Sequence, residues 1–182
     1  MAYLNVVNFA QTTGILGTPA MKGFEMLTPA VYRQSSRTPG YIAHAEPADD
    51  RDDLSFFHRD WGQWGPFTVP YYYEGGIDAG EVVEASALSV WRDIASLRAF
   101  VYEGPHARAM SKKVLWFAPM KFPGYALWWS SRFPTWKKGA EKLELIHRIG
   151  TSPEAFTFAS LYDEHGQLLR TEAIGQQETQ NQ

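Results

Sequence analysis

One histidine sits among indoles and phenols in the most informative stretch of this chain. Between Leu88 and Ser131 run L-S-V-W, an acidic helix start, F-V-Y-x-G-x-H, W-F-A-P-M and Y-A-L-W-W. His106 follows Gly104 and Pro105 at the start of a helical pattern. There the macrodipole disfavours imidazolium and leaves a neutral ring able to accept a proton or bind a metal. Trp91, Trp116 and Trp128 carry indole N–H groups suited to a carbonyl or a developing oxyanion, and Tyr102, Met110 and Phe117 would complete an apolar wall. The competing reading of the same residues is a packed core, with His106 tied to a backbone carbonyl.

A second set lies in segment 46–80, where an acidic run precedes a dense aromatic cluster from Phe56 to Tyr73. His58 is the second candidate for proton transfer, and Trp61 and Tyr72 are candidate ligand contacts, because inserted loops beside a cavity commonly set selectivity. The alternative is a loop held down by its own aromatics. The run Asp49, Asp50, Asp52, Asp53 lacks the glycine and terminal glutamate of a calcium loop and reads as solvated surface. Glu74, Glu81 and Glu84 are further carboxylates, but spacing singles out none.

Composition narrows the classes. With 182 residues and 45% apolar content the chain is long enough for one sizeable core, and a single domain over 1–175 is expected, with a frayed tail at 176–182. The net charge of -3 gives no broad basic surface, and no Lys/Arg cluster stands out as a phosphate track, so nucleic acid is not expected as a partner. Cysteine is absent, which removes disulfides, thiolate nucleophiles and Cys-based metal sites. Apolar runs are short and the first residues lack an export pattern, so a cytoplasmic protein without a membrane partner is expected. No G-x-S-x-G, Walker loop, H-E-x-x-H or G-x-G-x-x-G appears, which argues against common hydrolases, NTPases, zincins and dinucleotide enzymes.

The elements that must position these groups follow from periodicity. Strands are expected at 2–10, 41–45, 82–91 and 125–130, with a last one at 156–162. Thr18 and Pro19 predict a helix from 19 towards 36 with a break at Thr28-Pro29. Asp93 predicts a cap for a helix carrying Ile94, Leu97 and Val101, and His106, Met110, Val114 and Phe117 recur at helical spacing in the next. Thr135 predicts the cap of a charged helix ended by Gly150. Trp128 and Trp129 must point to opposite faces of their strand.

The phrases L-S-V-W-R-D (88–93), L-R-A-F-V-Y (97–102), His106, W-F-A-P-M (116–120), L-W-W (127–129) and T-S-P-E-A-F-T-F (151–158) resemble the DUF3291 family. That family is similar to a branch of the dimeric alpha+beta barrel superfamily, with antibiotic-biosynthesis monooxygenases, muconolactone isomerases, haem-degrading monooxygenases and aldoxime dehydratases. The resemblance is close over 88–158 and looser over the first strand and helix. Segment 46–80 departs from it as an insertion. It implies an α+β fold, a ferredoxin-like antiparallel sheet with covering helices. It also implies a homodimer closing a barrel and a ligand cavity between each sheet and its helices.

The resulting expectation is a monooxygenase-like enzyme of specialised metabolism. It would act on an apolar aromatic or polyketide-like substrate, with His106 as base and no dedicated cofactor. An isomerase, cyclase or dehydratase could use the same groups. The resemblance also leaves haem ligation by a histidine open, and a non-catalytic binder of hydrophobic ligands is the remaining class.

Overall fold

Alternation along the first strand already divides the molecule. In the computed structural model, which describes residues 2–49, 56–73 and 84–170 and Glu84 by its backbone alone, β1 (Tyr3–Gln11) sends Asn5, Val7 and Phe9 to one side and Leu4, Val6 and Asn8 to the other. It is followed by α1 (Lys22–Arg37), β2 (Tyr41–His44), β3 (Glu84–Trp91) and α2 (Ile94–Tyr102). Then come α3 (Gly104–Ser111), α4 (Lys113–Trp116), β4 (Tyr125–Ser130) and α5 (Trp136–Ile149). The four strands form one antiparallel sheet in the order β2-β3-β1-β4, an α+β arrangement consistent with a ferredoxin-like fold. The expected features at Asp50, Asp52, Asp53, Glu74, Glu81 and 176–182 lie outside the described residues, as does the Glu84 side chain.

The two faces are covered differently. Val7, Phe9, Leu88, Val90, Ala126 and Trp128 pack on the first face against Trp136, Leu143 and Ile146 of α5 and against Trp61, Trp64 and Tyr72 of the aromatic segment. Gly139 lets α5 approach closely: a Cβ there would lie 3.0 Å from a Val7 methyl. On the second face Leu4, Trp91 and Leu127 meet Leu97 of α2 and Phe156 and Leu161 of the C-terminal segment. Here α1 leans over β2 and packs against α3.

Three expectations change. Pro29 does not break α1, since the proline is exposed and water can satisfy the carbonyl it frees, while the Thr28 hydroxyl bonds the Phe24 carbonyl at 2.9 Å. That helix also starts later than expected, after Met21. The expected strand 156–162 is a chain of turns. Phe156 exchanges two backbone hydrogen bonds with Leu127 (2.8 and 2.9 Å), and Thr157 then closes a turn with Ser160. Asp93 and Thr135 cap as expected, accepting from the Ser96 and Lys138 amides at 2.7 and 3.2 Å. No helix among the described residues is long and apolar enough to cross a membrane.

Candidate functional site

The second face of the sheet is not closed. Strand register sets three rows across it: Tyr41, Trp91, Leu4 and Trp129, then His44, Ser89, Val6 and Leu127, then Ala87, Asn8 and Tyr125. The first row is packed, with Trp91 and Leu4 fully buried. Beyond it the floor opens: Val6, Ser89 and Ala87 are half-buried, as are Ala10 and Ala85 further along, and Asn8 is exposed on a central strand. Side chains this short do not span the roughly 10 Å to a packed neighbouring layer. Around Asn8 this face is left as an uncovered cleft. Asn8 turns its Oδ1 to the Ala87 amide at 2.5 Å, which leaves its amide nitrogen as a donor at the centre of the floor.

A group that the sequence reading did not single out borders this cleft. Strict alternation would put Tyr41 and His44 on opposite faces of β2. A register shift between Tyr41 and Ala43 inserts one residue, so Tyr41 pairs with Trp91, Ala43 with Val90 and His44 with Ser89. Bulges re-aim side chains in this way. Tyr41 and His44 thereby come to share the open face, while Ala43 and Ala45 turn to the closed one. The Tyr41 hydroxyl hydrogen-bonds His44 Nδ1, His44 Nε2 lies 2.9 Å from the Glu46 carboxylate, and Tyr32 of α1 stacks on the imidazole at 4.8 Å.

Chemistry fixes the protons. A carboxylate only accepts, so His44 carries hydrogen on Nε2 and receives the Tyr41 proton at Nδ1. Burial lowers the His44 pKa, opposed by Glu46. Burial, with Glu46 and Tyr32, pushes the Tyr41 phenol up to about 12. The Tyr32 phenol is likewise raised by burial and by Glu46. At neutral pH the resting set is therefore a neutral phenol, a neutral imidazole and a carboxylate.

His106 is built in a different way. Its Nδ1 meets the Val101 carbonyl at 2.9 Å, which places the ring proton there and leaves Nε2 with a lone pair. Burial lowers its pKa, opposed by that hydrogen bond. Gln34 of α1 holds the junction: its amide donates to the Phe100 and Glu103 carbonyls at 3.0 Å each and accepts the His106 amide at 2.8 Å. The half-buried imidazole rests on Phe100 (4.5 Å), which stacks on Trp91 (5.0 Å). Trp91 thus faces packed rings where an indole-walled hollow was expected.

The remaining candidates do not converge on His106. Trp128, Trp61 and Tyr72 lie in the closed face, Tyr72 donating to the Pro123 carbonyl at 3.0 Å. Trp129 is the member of the tryptophan pair on the cleft side, and its indole donates to the Tyr162 carbonyl at 2.8 Å. His58 is exposed in a left-handed conformation (φ 59°) on the segment that packs against α5. Trp116 is buried against Phe24 at 5.8 Å, and Phe117 meets the same ring at 5.3 Å. Tyr102 and Met110 are exposed.

A groove of about 580 Å³ opens beside Arg33, Gln34 and Arg37 of α1 and Glu103 and Pro105 at the α2–α3 junction, and His106 is not among its walls. The free Nε2 of His106 is a nitrogen of the kind that ligates haem iron, but no described opening places a planar macrocycle against it. The described residues around His106 do not fit haem. Among the described residues no three His, Asp or Glu side chains gather as a metal site.

Comparison with known proteins gives a family and no function. No curated protein and no solved structure matches the chain. One family model, described as a domain of unknown function (DUF3291), matches residues 3–172. The match spans nearly the whole chain, all four strands and five helices included, and the protein belongs to the DUF3291 family.

Proposed function

We propose that the chain is a cytoplasmic small-molecule enzyme that holds an apolar, aromatic or polyketide-like compound on the floor between His44 and Asn8 and takes a proton from it. The observation that carries this reading is the bulge in β2, which turns Tyr41 and His44 together onto the open face with Glu46 behind them. A proton leaves a C–H or O–H of the substrate for the Tyr41 oxygen as the Tyr41 proton passes to His44 Nδ1. Imidazolium then forms beside the Glu46 carboxylate, and the substrate keeps the electron pair. Asn8 and the Ser89 hydroxyl are donors for the resulting oxyanion.

The fate of the anion decides the reaction. Attack on dioxygen gives the monooxygenase-like outcome, and protonation at another atom gives an isomerase. Both rest on analogy of fold. Pairing two sheets into one barrel would have to accommodate α5 and the 56–73 aromatics between them, so the reaction is assigned to the cleft of one chain. The test uses β-tetralone, a flat ketone with acidic C–H bonds, in heavy water. The protein should accelerate its hydrogen exchange, Tyr41→Phe and Glu46→Gln should each slow that exchange by about tenfold or more, and the Val6, Ala87 and Ser89 amides should shift on binding. Unshifted floor amides, or exchange indifferent to both substitutions, would overturn the reading.

A further inference from the structure

Charge is distributed unevenly along this chain. From Gly104 to Ala140 there are seven Lys and Arg and no Asp or Glu, which leaves ten basic residues against all twenty acidic ones elsewhere. The fold gathers part of that basic run with side chains that would otherwise be buried. Residues 111–115 are all exposed, and they include Lys112 and Lys113 together with Val114 and Leu115 at 76% and 64% exposure. Exposed Arg108 and Met110 precede them on α3.

Trp116 anchors this projection to a second element. Its indole packs on Phe24 of α1 and lies 3.5 Å from where a Cβ on Gly23 would stand. The start of α1 therefore runs alongside and adds Lys22 and, one turn on, Met26, which is 72% exposed. Glu25, the acidic residue of that first turn, accepts the Gly17 amide at 2.6 Å.

We propose that this corner, exposed Val114 and Leu115 with Lys112 and Lys113 beside them and Arg108 and Lys22 on the adjoining helices, docks on the surface of an anionic phospholipid bilayer. Aliphatic side chains that project past lysines suit a boundary where acyl chains begin just below negative headgroups. A second copy of the chain suits it poorly, because a two-fold contact centred on Val114 sets Lys112 and Lys113 against their own images. Single-stranded nucleic acid is read by exposed aromatic rings, and the aromatic residue here, Trp116, is buried. The docking does not depend on the reaction proposed above, although it would bring the cleft close to a store of apolar compounds.

The experiment is cosedimentation of the purified protein with vesicles of phosphatidylcholine, with and without phosphatidylglycerol. Binding is expected only with phosphatidylglycerol and should weaken with salt. The pair Lys112→Glu and Lys113→Glu should lower partitioning by about tenfold or more. The pair Val114→Ser and Leu115→Ser should lower it severalfold at unchanged charge. All four positions are exposed, and an unchanged melting temperature verifies that the variants fold. Equal binding to both vesicle types, no binding to either, or full binding by the serine variant would overturn the proposal. So would competition by polyglutamate as effective as that by vesicles, which would make the corner a general polyanion site.

Discussion

His44 and His106 carry their protons on opposite nitrogens. The first has Nε2 at 2.9 Å from the Glu46 carboxylate, and the second has Nδ1 at 2.9 Å from the Val101 carbonyl. Nitrogen-15 spectra of the imidazoles should show His44 as the Nε2–H tautomer and His106 as the Nδ1–H tautomer near pH 7. Glu46→Gln should disturb only the former. Identical tautomers, or rapid averaging in both rings, would contradict the geometry.

Acid should destabilise the protein through these two rings. Both have pKa values lowered by burial, so the unfolded chain binds more protons than the folded one as pH falls below the ordinary histidine value near 6.5. Stability is complete above that value and declines as pH drops through it towards the folded-state pKa values. Melting temperatures followed from pH 8 to pH 5 should fall, and the decline should be shallower in His106→Gln, which cannot charge.

Gly40 ties the start of β2 to α2. Its φ is +87°, and a Cβ there would stand 2.1 Å from the Ser96 hydroxyl oxygen and 2.6 Å from the Ser96 Cβ. Gly40→Ala should cost about 3 kcal/mol through strain and overpacking, measured by urea unfolding. A loss under about 0.5 kcal/mol would mean that the two elements separate easily.

Trp128 and Ala87 test which face matters. Trp128 is buried on the closed side and Ala87 lies on the cleft floor. Trp128→Phe should lower stability by about 1–2 kcal/mol and leave β-tetralone binding unchanged. Ala87→Phe should leave stability nearly intact and abolish that binding. The reverse pattern would restore the indole-lined site expected from the sequence.

Much of the fold was legible because local rules and packing agree. Asp93 and Thr135 cap as their residue types suggest, and the stretch ending at Trp91 runs as a strand with apolar residues on both sides. The site was less legible. Alternation in 41–45 separates Tyr41 from His44, and only a bulge, set by pairing with β3 far along the chain, reunites them. Phe156 and Phe158 imitate a strand, yet no ladder continues through them: the Phe156 backbone pairs with Leu127 alone, and the Phe158 amide donates to the Tyr125 hydroxyl at 3.2 Å. His106 does lie at a helix start, as its sequence context suggests. Nothing local could show that Phe100 would lie between it and Trp91.

The aromatic segment and α5 also decide how the chain reaches its folded form. Trp61 and Trp136 meet edge to face at 5.0 Å, and Phe67 meets Trp136 at 4.9 Å, so a large apolar sheet surface is sealed by residues of the same polypeptide. A chain that supplies its own lid can fold unimolecularly, and its thermal midpoint should stay constant over a hundredfold range of protein concentration.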